Sequence, residues 1–271
     1  MTIQPGVEID PRPIIEAVRA GMEAIVELGA SGEVEFKDDE SPVTRADRAA
    51  EQAITAILEA RYTLPIIAEE RFSDGRVPEV GDVFFLVDPL DGTKSYIAGK
   101  PDYTVNIAVI ERGFPIFGCV GVPETGEVYY GGLGLAPTLE RGDETIALAA
   151  SPAPGPMRAL VSRNHLSSTT KDYLDALDIS GTIAIGSSLK FCLIAEGRGD
   201  LYPRFSRTMQ WDTAAGDAIL RAAGGLTVTP SGETFVYGRT RQRLEDIYAN
   251  GFFIAVGDPA ILERPGILRS T

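Results

Sequence analysis

The stretch Val83-Phe84-Phe85-Leu86-Val87-Asp88-Pro89-Leu90-Asp91-Gly92-Thr93 decides how this chain is read. Its first five residues are apolar, and a short run of that kind suits a buried strand. Two carboxylates, a glycine and a hydroxyl follow at once. Carboxylates at the end of a buried strand are costly unless they are paired or bind a metal. The run therefore reads as a strand delivering acidic ligands to a site. Pro89 cannot donate a ladder hydrogen bond, so the strand is expected to end there and let both side chains converge. The carbonyl of Leu90 adds a third oxygen to Asp88 and Asp91, a hard-donor set that suits Mg²⁺. Gly92-Thr93 opens a short helical stretch, Lys94 to Ala98, whose first amides suit a phosphate. Taken alone, the run serves nearly as well as a turn in which Asp91-Gly92 reverses the chain. Asp88 and Asp91 are three apart, whereas aspartyl-nucleophile phosphatases place their pair two apart, so that chemistry is disfavoured.

Working outward, the chain has 271 residues, 44% of them apolar and 24% charged, which is enough for a large core in one domain or two intimate ones. The net charge of −14 argues against binding a nucleic-acid polymer, which needs a basic footprint. It leaves room for a small anion if metal ions reverse the local sign. Cys119 and Cys192 sit in apolar runs and read as buried thiols. No integral membrane segment or signal peptide is found, and the compartment expected is the cytoplasm, with a peripheral place on the cytoplasmic face of the inner membrane as an alternative.

Asp10-Pro11 is a good helix start, and Ile14, Val18, Met22, Ile25 and Gly29 follow at helical spacing. After a polar loop, Ser31 to Pro42, a second helix is expected from Arg45 to Ala60. Pro65 to Ala68 reads as a short strand ending in Glu69-Glu70, with loop from there to Val80. Thr104–Ile110, Phe114–Val122 and Glu127–Tyr130 read as an antiparallel meander. Prolines 152, 154 and 156 mark a seam near 150–158. Beyond it strands (159–162, 182–185, 200–202, 226–229, 252–256) alternate with helices (169–177, 188–196, 213–223), the pattern of α/β layering. Residues 1–150 and 151–271 thus form two halves, with no internal repeat.

Other residues invite chemistry only in company. Glu69-Glu70 alone is a solvated loop, but beside Asp88 and Asp91 one of the pair becomes a candidate ligand. Trp211-Asp212-Thr213-Ala214-Ala215-Gly216 starts a helix with Asp212 as an ideal N-cap, whose outer oxygen can still meet a metal. Thr44-Arg45-Ala46-Asp47 has capping-box spacing, and Asp47 can also orient a water. His165, the single histidine, follows a strand, and no nucleophile elbow accompanies it. Lys190 and Arg204 are cations in apolar settings, expected either to snorkel to the surface or to hold a second phosphate.

Together, Asp88-Pro89-Leu90-Asp91-Gly92-Thr93, Trp211-Asp212-Thr213-Ala214-Ala215-Gly216 and the upstream Glu69-Glu70 resemble the signature set of the lithium-sensitive, magnesium-dependent inositol monophosphatase superfamily. The resemblance runs from Ser41 to Phe253 and implies a five-layer αβαβα sugar-phosphatase-like fold. Ser41-Pro42-Val43-Thr44, Ser162-Arg163-Asn164-His165, Gly186 to Cys192 and Leu201 to Phe205 look most like its CysQ-type bisphosphate nucleotidase branch. That branch removes the 3'-phosphate of 3'-phosphoadenosine 5'-phosphate, a step of sulfur assimilation and nucleotide recycling, and AMP is the product. The resemblance implies two or three Mg²⁺ held by Glu69, Asp88, the Leu90 carbonyl, Asp91 and Asp212. It gives Thr93 and Asp47 the attacking water, Asp91, Gly92 and Thr93 the transferred phosphate, and Ser187, Lys190, Arg204 and His165 the nucleotide. Glu69, Leu90 and Asp212 also face the substrate. Ala68 departs from the serine or glycine common there, and the charged segment 239–246 matches poorly and receives no role. The partner expected is a small nucleotide, on a monomer or homodimer. Two other readings remain: an inositol or sugar monophosphatase, and a non-catalytic protein binding a divalent cation or nucleotide.

Overall fold

A computed structural model describes residues 9–29, 34–36, 42–239 and 247–269. Ser41 and the charged segment 240–246 lie outside them. Two helices come first, α1 (Arg12–Leu28) and α2 (Arg45–Arg61), around the short strands β1 (Val34–Phe36) and β2 (Pro42–Thr44). The apolar stripe Ile14, Val18, Met22 and Ile25 is the buried face of α1, and Gly29 caps it at φ 63°. The Thr44/Asp47 capping box starts α2.

Seven strands then form one sheet in the order β3 to β9: β3 (Ile66–Ala68), β4 (Val83–Asp91), β5 (Thr104–Glu111), β6 (Phe114–Val122), β7 (Glu127–Gly132), β8 (Leu135–Arg141) and β9 (Glu144–Ala147). The meander is thus two strands longer than expected; its last hairpin is largely exposed and carries no apolar alternation to announce it. Two short helices interrupt the sheet, α3 (Glu69–Ser73) and α4 (Thr93–Ile97). After an irregular segment around 148–156 comes a five-stranded sheet, ordered β11-β10-β12-β14-β13, from β10 (Met157–Ser162), β11 (Ile179–Ile185), β12 (Leu201–Arg204), β13 (Leu226–Val228) and β14 (Phe253–Val256). Its helices are α5 (Ser168–Asp175), α6 (Leu189–Ala195) and α7 (Ala214–Ala222).

Strand alternation sorts the core into layers. Phe85 and Val87 of β4 pack with α1 and α2, while Phe84 and Leu86 face α6 and α7. On the second sheet, Phe253 and Ala255 of β14 face the same central helices, and Ile254 and Val256 pack outward with Tyr173 and Leu174 of α5. The succession is helix, sheet, helix, sheet, helix: the five-layer mixed α/β fold that the resemblance implies. Close packing fixes the central layer, because a Cβ on Gly118 of β6 would stand 2.0 Å from the Ala215 carbonyl of α7. No helix among the described residues is long and apolar enough to cross a membrane.

Candidate active site

β4 does not end at Pro89. It runs to Asp91, with its pairing to β5 irregular between Asp88 and Asp91. Proline is tolerated at such a bulge because no ladder donor is needed there. The Asp88 carboxylate accepts the Leu90 N–H at 3.0 Å, satisfying a donor that the ladder releases. Gly92 turns the chain at φ 96° into α4. A Cβ there would meet the Asp102 carbonyl at 3.2 Å, in a conformation that side chains resist.

Asp212 is not the cap of α7. It closes a 3₁₀ turn, Gln210–Asp212, and Thr213 takes the cap position. Its carboxylate reaches back to the Met209 N–H at 2.8 Å. Glu69-Glu70 is helical rather than loop: it opens α3, where Ala68 offers no capping side chain. Glu51 of α2 supplies that cap, accepting the Glu70 N–H at 2.8 Å.

These elements meet around one cavity of about 300 Å³. Glu69, Asp88, Leu90, Asp91, Gly92, Thr93, His165, Ser187, Lys190, Arg204 and Asp212 all line it. Asp47 stands just behind, accepting the Thr93 hydroxyl at 3.1 Å. Its other oxygen accepts the Thr44 N–H at 2.8 Å and the Thr44 hydroxyl at 2.6 Å. Burial raises the Asp47 pKa, the Thr44 bonds oppose that, and Glu69 adds to it.

The three aspartates are anchored alike. One oxygen of each accepts a backbone N–H: Leu90 for Asp88, Ser188 for Asp91 at 2.6 Å, and Met209 for Asp212. Burial first, then mutual repulsion with Glu69, Asp91 and Asp212, pushes the Asp88 pKa well up. Asp212 is raised in the same way, by burial and then Asp91 and Glu69. A cluster that repels itself this strongly is built for cations. As the side chains stand, no three His, Cys, Asp or Glu groups among the described residues close around a single ion. The donors are nonetheless all oxygen, four carboxylates and the Leu90 carbonyl on one cavity, and that set fits Mg²⁺.

Two cations line the same cavity. Lys190 and Arg204 do not snorkel; they are 3% and 6% exposed. Lys190 lies on α6 and Arg204 at the end of β12, and both line the cavity rather than the outer surface. The Lys190 ammonium donates to the Ser187 carbonyl and lies 5.1 Å from the centre of the Tyr202 ring. Burial pulls its pKa down to about 8 while Asp91 holds it up. The Arg204 Nε–H is buried without a partner, and its guanidinium otherwise donates to the Arg207 carbonyl. His165 is exposed at the mouth; partial shelter, then Arg204, Lys94 and Lys190, lower its pKa. The sequence reading missed Ser188, Asp102 and Arg207. Ser188 lies inside a quoted motif, but which of two neighbouring serines turns its amide to Asp91 depends on the positive φ of Ser187 (51°).

Fold and site together define a phosphatase of the inositol monophosphatase class. Residues 13–252 match the inositol monophosphatase family, and the chain belongs to that family. It is 43% identical over 205 residues to the 3'(2'),5'-bisphosphate nucleotidase CysQ of Salmonella typhimurium, covering 74% of this chain and 81% of the relative. The crystal structure of CysQ from Bacteroides thetaiotaomicron superposes with a TM-score of 0.75 at 33% identity, covering 90% of this chain and 96% of that one. An IMPase from Thermotoga maritima shares the fold, with a TM-score of 0.74 at 22% identity over 93% of each chain.

Proposed function

We propose that this chain is a magnesium-dependent phosphomonoesterase that hydrolyses 3'-phosphoadenosine 5'-phosphate to AMP and phosphate. Family membership carries the phosphatase chemistry, and the CysQ relatives favour the nucleotide. The single observation that carries the substrate choice is the charge layout of the cavity. Four carboxylates line it, and Lys190 and Arg204 are buried in the same lining. A substrate with one phosphate has no use for the second group. A bisphosphate meets both: one phosphate over the acidic cluster, one near Arg204.

Glu69, Asp88, the Leu90 carbonyl, Asp91 and Asp212 would hold two or three Mg²⁺. When bound, those ions lower the pKa of a water and neutralise charge on the phosphoryl and leaving oxygens. The remaining work falls to the chain. Thr93 Oγ donates its proton to Asp47 and so turns a lone pair toward the cavity, where it takes a proton from the attacking water. The raised pKa of Asp47 makes that carboxylate a better final acceptor. The water oxygen bonds to phosphorus as the bond to the 3'-oxygen breaks, the leaving oxygen takes a proton from solvent, and Asp47 returns the one it received to solvent. The Gly92 and Thr93 amides face the transferring group. A protein that merely stores a cation needs no hydroxyl relay of this kind, so the Thr93–Asp47 bond favours catalysis over the binding-protein alternative.

The test is phosphate release from 3'-phosphoadenosine 5'-phosphate and from inositol 1-phosphate, with Mg²⁺ and with chelator. The reading expects Mg²⁺-dependent release with the nucleotide preferred. Preference for the inositol ester would assign the chain to the other branch of the family, and no release from either would favour the binding-protein alternative.

A further inference from the structure

Asp102, in the loop between α4 and β5, takes no part in the chemistry above, yet it lies between the two loops that do. On one side its carbonyl packs against Gly92, where the phosphate turn begins. On the other it packs against Gly186, where the loop Gly186-Ser187-Ser188 of the second half begins. A Cβ on Gly186 would stand 2.6 Å from the Asp102 carbonyl and 2.8 Å from its carboxylate. The carboxylate is 3% exposed. It accepts the Gly186 N–H at 2.5 Å and is forked by Arg163, whose Nε and Nη1 lie 3.3 and 3.4 Å away. Arg163 is itself tied by its N–H to the Ile185 carbonyl, at the root of the same loop.

That loop has three duties. The Ser188 N–H binds Asp91, the Ser188 hydroxyl donates to the Asp212 carbonyl at 2.5 Å, and the Ser187 carbonyl receives the Lys190 ammonium. Ser187 pays for this with a left-handed backbone at φ 51°, which a non-glycine residue holds only when its surroundings insist. Asp102 bonds the root of this strained loop, two residues before the bond from Ser188 to Asp91.

We infer that Asp102 is a positioning residue that sets the distance between the phosphate turn and the loop that holds Lys190, and so tunes selectivity for a substrate with two phosphates. The inference rests on the proposed function for its substrate, but its geometry does not. Losing the Gly186 bond lets the loop relax away from the phosphate turn. The Ser188 bonds to Asp91 and Asp212 do not involve Asp102 and are expected to persist, so the defect falls on the Ser187–Lys190 side and on binding.

The experiment compares D102A with D102N, which keeps an acceptor for the Gly186 N–H and gives up the ion pair to Arg163. D102A is expected to raise KM for 3'-phosphoadenosine 5'-phosphate about tenfold, the effect of one lost charge-assisted hydrogen bond, with kcat within about threefold. D102N is expected to restore most of that KM. A D102A KM within about threefold of wild type, or a fall in kcat at constant KM, overturns the inference. Should D102A not fold, D102S is scored in the same way. If the wild-type chain itself releases no phosphate from the bisphosphate, the functional reading falls. Amide hydrogen exchange then decides the positioning role: faster exchange at Gly186 to Ser188 in D102A, but not in D102N, supports it, and unchanged exchange refutes it.

Discussion

Replacing Thr93 by valine removes one oxygen and almost no volume, and the proposed mechanism makes that oxygen the relay between water and Asp47. Its hydroxyl lies 3.1 Å from Asp47 Oδ1 and 3.2 Å from the Leu90 carbonyl, and a single proton cannot serve both at full strength. Two costs follow, and they differ in size. Asp47 keeps both Thr44 bonds on its other oxygen, so the stability cost of the orphaned Oδ1 sits at the low end for a buried acceptor, about 1 kcal/mol. The catalytic cost is the loss of a positioned proton acceptor, about 10²–10⁴-fold in kcat. That corresponds to about 2.7–5.5 kcal/mol of barrier. The variant should therefore be folded, bind Mg²⁺ as wild type does by calorimetry, and turn over at least a hundredfold more slowly in a phosphate-release assay at saturating Mg²⁺, about the bottom of that range. Asp47→Asn should match it, and the double variant should be no worse than either single one, because the two groups act as one unit. A T93V kcat within about tenfold of wild type, or losses that multiply in the double variant, would refute the relay.

Arg204→Met should raise KM for the bisphosphate by about tenfold or more while leaving adenosine 3'-phosphate, which has no second phosphate, unaffected; an equal loss on both substrates would remove Arg204 from phosphate binding. Mg²⁺ should relieve the repulsion among Asp88, Asp91, Asp212 and Glu69, so the melting temperature should climb with its concentration, by the equivalent of about 2.7 kcal/mol at a hundredfold excess over Kd. A melting temperature indifferent to Mg²⁺ would count against the acidic cluster as its site. Away from the cavity, Asp200 is buried beside Arg158, whose two side-chain nitrogens reach it at 2.9 and 2.7 Å. Burial alone would raise the Asp200 pKa, but the Arg158 bonds outweigh it and the net shift is downward. A depressed folded pKa gives stability that is present above the ordinary value of about 3.9 and is lost as pH falls through the folded one. Asp200→Asn should thus melt below wild type at neutral pH, and the gap should close at strongly acidic pH; a gap that persisted there would refute the assignment.

The acidic strand end, the Gly92 turn and the first two helices were legible because each rests on local chemistry: periodicity, caps and a left-handed glycine. What escaped depended on distant neighbours. Pro89 reads as a terminator in isolation, and only pairing with β5 reveals that it occupies a bulge. Asp212 has the composition of a cap, yet Thr213 holds the cap position of α7 and the Asp212 carboxylate accepts the Met209 N–H instead. Lys190 and Arg204 read in sequence either as surface cations or as holders of a second phosphate, and only the assembled layers show them buried on the cavity. Asp102 gave no signal at all, since its partners Arg163 and Gly186 lie 61 and 84 positions away. The contents of the site were readable, whereas its scaffolding was a property of the assembled sheets and helices.

The central helices carry a consequence for how such a molecule can change. Every residue from Leu189 to Ala195 is buried, and so is every residue from Ala214 to Leu220. A helix with no solvent face has no idle positions, and each substitution there is felt by two sheets at once. Variation that leaves the fold intact must enter where the cavity opens, at His165, Ser187 and Arg207, which are exposed or half-exposed. Such an architecture leaves the rim of the cavity freer to mutate than the helices beneath it, which hold Lys190 in place.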